Sequence, residues 1–277
     1  MCKIKLYAFP ERIYPMLKSF VLSGFFFFQM LISQNARALT PMHHNNDTLS
    51  QAAQTLLLTV KRREPAGALL SFFQTISPEA LISELNTDNK KKAFWLNIYN
   101  AFIQLLLSDN PAQYKKRGLF FGKKQINIAG KLLSLDAIEH GLLRRSKTKW
   151  SLGYINRLFP SDFEKKNRVV KVDYRIHFAL NCGAKSCPPI AFYRDDQLDR
   201  QLDLATKIYL KSETVYDSAD NRVALPAIMG WFRADFGGKN KMIELLKQTG
   251  VIPPEVRPAV SFRQYDWNLY LDNYKTE

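Results

Sequence analysis

The run Phe94-Trp95-Leu96-Asn97-Ile98-Tyr99-Asn100-Ala101-Phe102-Ile103-Gln104 lies within a longer helical pattern over residues 88–107. The pattern predicts a long, largely buried helix in the core of the domain. Three amides follow an i, i+3, i+7 spacing in it, at Asn97, Asn100 and Gln104. Buried amides need hydrogen-bond partners. They therefore either tie down a loop or line a pocket, where Asn97 and Asn100 would bind substrate and stabilise an oxyanion.

Patterns on both sides of this run predict the other elements. Helical spacing predicts helices at residues 47–63, 69–76, 135–145, 195–210, 226–236 and 239–248, and another after the Ser77-Pro78 cap. Alternation predicts hairpins at 124–133 and 215–225 and strand-like segments at 169–172 and 176–180. The aromatic segment 260–270 is expected to pack on the core. The predicted fold class is α+β, a helix-rich single domain with a small, mainly antiparallel sheet; papain-like or transglutaminase-like architecture is one candidate.

The first 38 residues have the pattern of a signal peptide. Lys3, Lys5, Arg12 and Lys18 precede an apolar stretch at 20–33, and Ala36-Arg37-Ala38 matches the small-x-small cleavage pattern. The apolar stretch is too short to cross roughly 30 Å of hydrocarbon. We therefore expect cleavage near Ala38, a disordered start at 39–46, a globular domain over 47–277, and a periplasmic or secreted protein with no membrane span after cleavage.

The chain is strongly basic, with a formal net charge of +15. Its basic residues occur in short runs such as Lys90-Lys91-Lys92 and Lys115-Lys116-Arg117, which are typical of solvated faces. The alternative is attraction to an anionic surface or an envelope polymer. Nucleic acid is disfavoured by the export signal and by the lack of a binding motif. The expected partner is an unidentified protein, peptide or envelope polymer.

A helix predicted at 135–145 groups ionisable residues beside an apolar stripe. Glu139 projects beside this stripe, and His140 has Asp136 four residues before it and Arg144 four residues after it. A carboxylate at that spacing can orient an imidazole. Gly141 is tolerable in the helix where another backbone comes close. The alternative is a surface histidine in a local ion pair.

The second group of reactive residues is Arg175-Ile176-His177-Phe178-Ala179-Leu180-Asn181-Cys182-Gly183-Ala184-Lys185-Ser186-Cys187-Pro188-Pro189. Cys182 falls where a predicted strand gives way to a turn, which exposes its sulfur and offers backbone N–H groups to an oxyanion. Lys185 could lower the pKa of a thiol. Cys187 is the better candidate for a packing or disulfide partner of Cys182. The alternative is a buried strand with a disulfide-closed loop.

His140 and His177 are the histidines of the folded body, so the base of a catalytic cysteine would be one of them. We expect no cofactor. Metal is disfavoured, because the C-x4-C spacing of Cys182 and Cys187 is unusual for zinc.

These segments together resemble the domain-of-unknown-function family 547, of exported bacterial type. The shared motifs are Ala93 to Ala101, Leu135 to Arg144 with Ile-Glu-His-Gly at its centre, His177 to Pro189, Trp231 to Gly237, and Tyr265 to Asn268. The resemblance covers about residues 75–270. It departs at Tyr174, where the family has proline. Plant members lack counterparts of His177 and Cys187, so the resemblance favours His140 and Cys182 as the reactive pair.

The leading hypothesis is a thiol-dependent hydrolase or acyl-transferase. Cys182 would attack a carbonyl, His140 would carry the proton, and Glu139 or Asp136 would orient the imidazole. Further substrate-binding candidates are His177, Lys185 and Arg144. The alternative hypothesis is a non-catalytic envelope-binding module shaped by a Cys182–Cys187 disulfide, and a redox role is third.

Overall fold

The predicted central helix is α4, Asp88–Asp109. Thr87 caps it by accepting a hydrogen bond from the Lys90 N–H, and its side chains from Lys92 to Gln104 are all buried. The computed structural model describes residues 48–275. The predicted signal peptide (1–38) and disordered start (39–46) lie outside the described residues.

Three helices precede α4, and all three were predicted. Helix α1 (Leu49–Lys61) begins with a reciprocal capping box between Thr48 and Gln51 and packs along α4. It is followed by α2 (Gly67–Thr75) and α3 (Pro78–Glu84). Ser77 accepts from the Ala80 N–H, which confirms the predicted cap of α3.

A short helical segment and a hairpin follow α4. The chain forms a 3-10 helix (Pro111–Lys116), α5 (Arg117–Gly122), and the antiparallel strands β1 (Ile126–Ile128) and β2 (Lys131–Leu133). Gly130 lies in the connecting turn at φ +71°, a conformation that glycine adopts without steric cost. The predicted hairpin is therefore confirmed.

The next helix is wound differently from the prediction. Residues Ala137–Leu143 form a π-helix, in which the Arg144 N–H donates to the Glu139 carbonyl five residues earlier. Gly141 allows a close approach here, since a Cβ on it would lie 3.1 Å from Glu164 Cδ. A side chain rather than another backbone is what comes close.

The strands predicted at 169–172 and 176–180 are wrong. The first segment is irregular, and Tyr174–Phe178 is a 3-10 helix whose start is capped by Asp173, which accepts from the Arg175 N–H at 3.1 Å. Apolar runs this short do not distinguish strand from helix by periodicity. The predicted alternation of His177 and Ala179 on one strand face is consequently wrong as well.

The C-terminal part adds four helices and three strands. They are helix α6 (Asp162–Asn167), helix α7 (Leu198–Glu213), strands β3 (Val215–Asp217) and β4 (Arg222–Leu225), helices α8 (Ala227–Trp231) and α9 (Gly238–Gln248), and strand β5 (Ala259–Phe262). Strand β4 pairs antiparallel with β3 and parallel with β5. The helix predicted at 226–236 stops at Trp231. The many helices, the β1–β2 hairpin and the β3–β4–β5 sheet together confirm the predicted helix-rich α+β fold with mainly antiparallel strand pairing.

The described residues belong to one compact unit that contains two clusters of buried side chains. The larger cluster surrounds α1 and α4, and the smaller one lies between α7, α9 and the β3–β4–β5 sheet. Tyr265 packs against both clusters, so the segment after β5 returns to the core as predicted. Among the described helices, none combines the length and apolarity needed to cross a bilayer.

Candidate active site

A cavity of about 280 Å³ brings together side chains from α4, the π-helix, the irregular segment 179–193 (the Cys182 loop) and the C-terminal segments. Its wall contains one thiol, two imidazoles and two carboxylates. The titratable lining residues are Tyr99, Asp136, Glu139, His140, Lys149, His177, Cys182 and Tyr265, and most of the others are aromatic.

Amides of α4 hold the Cys182 loop in place. Asn100 donates to the Ala179 carbonyl at 3.0 Å and accepts from the Asn181 N–H at 2.9 Å. Asn97 makes the equivalent pair of bonds with the backbone of Tyr193, at 2.7 Å and 3.0 Å. These side chains tie down a loop, which is one of the two alternatives left open by the sequence. Neither lines the cavity, so the substrate-binding and oxyanion roles considered for them have no support here.

Gly183 lets the chain turn immediately after Cys182. Its φ is +85°, and a Cβ there would lie 2.9 Å from Leu107 Cδ1 on α4. Both the backbone conformation and the lack of space therefore require glycine. This close packing of the turn on α4 aims the Cys182 side chain at the cavity.

The two sulfur atoms share a network with one phenol. The Tyr265 hydroxyl lies 3.2 Å from Cys182 Sγ and 3.1 Å from Cys187 Sγ. The Cys182 N–H donates to Cys187 Sγ at 2.9 Å. Both cysteines are free thiols in the structure, and their predicted pairing as a disulfide stays a prediction.

This network separates the acidities of the two thiols. Hydrogen bonds from the Cys187 thiol and from Tyr265 lower the pKa of Cys182 below its usual value, although burial opposes them. Burial raises the pKa of Cys187, and its bond to Cys182 raises it further. Burial also raises the pKa of Tyr265, which keeps its hydroxyl a donor. Cys182 is therefore the sulfur that ionises first.

His140 is neutral, and one of its ring nitrogens is occupied. Burial and the neighbouring Arg144 lower its pKa from 6.5 to about 3. Arg144 Nη1 lies 2.9 Å from His140 Nδ1. A guanidinium has only donors and does not lose its proton, so Nδ1 must be the acceptor. The proton of the neutral ring is then on Nε2, which lies 3.7 Å from Asp136 Oδ1.

The two carboxylates beside His140 have partners of their own. Asp136 accepts from Lys149 Nζ at 2.9 Å through both oxygens. Glu139 Oε2 accepts from the Tyr99 hydroxyl at 3.4 Å, and its Oε1 lies 3.8 Å from His140 Nδ1. Each carboxylate has an oxygen within 4 Å of a ring nitrogen of His140, but neither makes a close hydrogen bond to it.

His177 belongs to a different pair. Its Nε2 lies 2.9 Å from Asp235 Oδ2, and the same oxygen accepts from Arg144 Nε at 2.6 Å. The Phe232 ring stacks on His177 at 4.0 Å, with Arg144 at 4.3 Å from the ring centroid. Burial would raise the pKa of Asp235, but its bonds to His177 and Arg144 hold it below the usual value. Burial lowers the pKa of His177.

The structure thus brings Cys182, His140, Glu139, Asp136 and His177 to one cavity. Within residues 48–275, Cys182 Sγ makes no hydrogen bond to either imidazole.

Two other predicted binding residues lie outside the cavity lining. Lys185 is exposed, and its backbone N–H donates to the Asn268 carbonyl. Arg144 is fully buried behind the two imidazoles. Among the described residues, no group of three or more His, Cys, Asp and Glu side chains is placed to hold a metal ion.

Sequence reasoning missed Asp235, Tyr265, Tyr99 and Lys149 as members of the site. Asp235 and Tyr265 lie in the two C-terminal motifs, Trp231-Phe232-Arg233-Ala234-Asp235-Phe236-Gly237 and Tyr265-Asp266-Trp267-Asn268. The presence of Asp235 and Tyr265 in these two motifs was the sequence feature that could have identified them as site residues. No pattern in the sequence indicates that Tyr265 reaches two cysteines about eighty positions earlier.

Fold and site define an α+β protein whose cavity holds a thiol of lowered pKa, two imidazoles of lowered pKa and two carboxylates. The model of the family "Protein of unknown function, DUF547" matches residues 82–210, so this part of the chain is similar to that family. The match includes Cys182, His140 and His177. No curated protein matches the chain, and no solved structure does. The exported bacterial type and the papain-like or transglutaminase-like architecture therefore stay predictions.

Proposed function

We propose that this protein is a thiol-dependent hydrolase or acyl-transferase with Cys182 as its nucleophile. One observation carries the proposal: the sulfur with the lowered pKa lines a cavity together with both histidines of the domain. Reactive cysteines occur in such partly open sites with polar neighbours, whereas buried structural cysteines are inert. Cys187, whose pKa is raised, serves as a hydrogen-bond donor to the nucleophile.

The covalent step is an acyl transfer. Cys182 Sγ forms a bond to a substrate carbonyl carbon, and the carbonyl electron pair moves to the oxygen. Collapse of this intermediate restores the carbonyl and breaks the bond to the leaving group, which departs with the proton that the thiol gave up. Water or a second nucleophile then attacks the carbonyl carbon of the thioester. The C–S bond breaks, the acyl product leaves, and the sulfur takes up the proton that the attacking group gives up.

We assign the proton transfer to His177. Its Nε2 is engaged by Asp235, so in the neutral ring Nδ1 is the free acceptor, and Asp235 would stabilise the imidazolium. His140 has the opposite arrangement, because Arg144 occupies its Nδ1. His140 Nε2–H is therefore a donor that could stabilise the oxyanion. This assignment replaces His140 as base with a residue that the sequence left as the alternative.

The cavity wall favours a substrate with an apolar group next to its carbonyl. Trp231 and Trp267 stack at 5.5 Å between ring centroids, and Phe121 and Phe232 also line the cavity. Lys149, paired with Asp136, is the cationic group on this wall. An acyl or aryl ester, thioester or amide fits this combination.

The first experiment measures the reactivity of the two thiols with iodoacetamide. We expect Cys182 to be alkylated faster than Cys187 near neutral pH, and His177→Ala to slow Cys182 more than His140→Ala does. Cys182→Ser should abolish release of product from a panel of aryl esters and thioesters, while Cys187→Ser should retain part of it. Equal alkylation of both thiols, unchanged by His177→Ala, would exclude an activated nucleophile.

A second measurement tests the alternative that the protein is a non-catalytic envelope-binding module. We propose that the protein is exported, so it is purified from the exported fraction. Intact-mass analysis without reductant then counts its free thiols. A stoichiometric Cys182–Cys187 disulfide that resists reduction, together with no turnover, would favour an envelope-binding module. An easily reduced bond would favour a redox role instead.

A further inference from the structure

The loop at residues 147–159 holds large apolar side chains in solvent. Phe159 is 90% exposed, Leu158 83% and Trp150 77%. Tyr154, Ile155 and Leu152 on the same loop are also exposed. A contiguous group of exposed apolar residues marks an interaction surface rather than ordinary surface composition. We call residues 147–159 the docking loop.

The docking loop has a defined backbone, so its exposed residues are held outward rather than left unfolded. The Thr148 N–H donates to the Ile155 carbonyl at 2.9 Å, and Lys147 forms an antiparallel bridge with Asn156. The Ala234 N–H donates to the Leu152 carbonyl at 2.9 Å. Gly153, at φ +88°, packs where a Cβ would lie 2.5 Å from Asp235 Oδ1. These contacts anchor the loop on the domain and leave its apolar side chains without cover.

The segment that contains these apolar side chains is rich in positive charge. Residues 145–171 contain eight Lys and Arg and two acidic residues. Both acids are paired within the segment, Glu164 with Arg157 and Asp162 with Lys165. Within the described part of the chain, the exposed Arg145, Lys166 and Lys171 make no ion pair. Two carboxylates from outside the segment also contact it, Asp136 at Lys149 and Asp88 at the backbone N–H groups of Val170 and Lys171. Eight cations therefore face four carboxylates, and the surface keeps a net positive charge.

We propose that the docking loop binds the protein to an anionic lipid surface. Aromatic and aliphatic side chains interleaved with lysine and arginine are what an interfacial anchor requires, because the apolar groups enter the acyl boundary while the cations contact headgroup phosphates. A neutral apolar partner would leave the surrounding charges unmatched. The charge complementarity selects a negatively charged bilayer.

This docking would place the cavity next to the bilayer. Lys149 belongs to the docking loop and also lines the cavity, where it pairs with Asp136. An apolar substrate could therefore pass from the membrane to the cavity. The inference does not depend on the acyl-transfer proposal, because it concerns binding alone.

Hydrogen exchange of the full chain with and without vesicles tests the proposal. With vesicles containing phosphatidylglycerol, we expect amides of 147–160 to be protected, and phosphatidylcholine vesicles should protect them much less.

Two triple variants test which side chains are responsible. The triple serine variant (Trp150→Ser, Leu158→Ser and Phe159→Ser together) should weaken vesicle partitioning about tenfold or more. The triple glutamine variant (Arg145→Gln, Lys166→Gln and Lys171→Gln together) should have a similar effect at low salt. The control is Leu204→Ser/Ile208→Ser, which changes exposed apolar residues of α7 and should bind like the parent. All variants share the same N-terminal segment, so differences in vesicle binding among them arise from the substituted residues.

Two results would overturn the proposal. One is the absence of protection at 147–160 with anionic vesicles, or equal protection in the triple serine variant. The other is protection without vesicles that increases with protein concentration, which would mean that a second copy of the chain covers the loop. Neither result involves turnover, so the proposed acyl-transfer activity would stand or fall separately.

Discussion

Arg144 Nη1 lies 2.9 Å from Nδ1 of His140, and this contact decides which nitrogen of the imidazole carries the proton. The same guanidinium donates through Nε to Asp235 at 2.6 Å, and Asp235 is bonded to His177. One buried cation therefore contacts His140 directly and is linked to His177 through Asp235. Arg144 is fully buried and is not part of the cavity lining.

Loss of this cation should be costly. We expect Arg144→Met to lower the free energy of unfolding by about 3–5 kcal/mol, because it leaves the fully buried Asp235 carboxylate without its ion-pair partner. Urea unfolding measures the change. The matched control is Arg194→Met, whose pair with Asp196 is half exposed and should contribute at most about 1 kcal/mol. Similar costs for the two variants would contradict the structural role of Arg144.

The amide of Asn100 should stabilise the Cys182 loop. Asn100→Ala removes the partners of the Ala179 carbonyl and the Asn181 N–H, and we expect it to cost about 2–4 kcal/mol in unfolding free energy. Asn89→Ala on the same helix loses a single bond of 3.4 Å and should cost at most about 1 kcal/mol. Chemical denaturation compares the two. If Asn100→Ala is no costlier than Asn89→Ala, the amide does not hold the loop.

The Tyr265 hydroxyl should help to keep the Cys182 pKa low. Tyr265→Phe retains the ring contacts but removes a hydrogen bond to the thiolate, so the pKa of Cys182 should rise. The rate of alkylation by iodoacetamide as a function of pH reports this pKa. Tyr270→Phe, at an exposed tyrosine, should leave the profile unchanged. An unaltered profile in Tyr265→Phe would remove the phenol from thiol activation.

Burial of neutral His140 should make stability depend on pH. Its pKa is about 3 in the folded protein against 6.5 for an ordinary histidine, so the unfolded chain binds more protons between these values. The contribution is fully present above pH 6.5 and is lost as the pH falls toward 3. His140→Gln should reduce the slope of unfolding free energy by about 1.4 kcal/mol per pH unit between pH 6 and 4.5. His177, whose pKa is also lowered, maintains part of the slope in that variant.

An unchanged slope in His140→Gln would mean that the imidazole is not buried in its neutral form. Urea unfolding at each pH measures the slope, and thermal unfolding at the same pH values measures it independently. It should show the same loss of slope, since both methods report the difference in bound protons between the folded and unfolded states.

Local patterns predicted the elements that depend on local physics. The capped helices α1 and α3 and the β1–β2 hairpin form where spacing, caps and glycine indicate. The 3-10 helix at Tyr174–Phe178 was missed because a short apolar run is compatible with a strand, and Asp173 and the packing against α7 decide the outcome. The π-helix was missed because its winding depends on bonds such as that from Ser146 N–H to the Gly141 carbonyl. Such register choices have no signature in residue spacing.

The site was predictable in its parts but not in its connections. The sequence by itself singled out Cys182, His140 and His177 as candidate site residues, because they lie in motifs that resemble one family. Only the tertiary structure decided what each group can do, because Tyr265, Asp235 and Arg144 approach them from segments distant in the chain. The pKa of a thiol and the tautomer of an imidazole depend on burial and on hydrogen bonds over about 3 Å. Those distances exist only after the two halves of the domain have packed together.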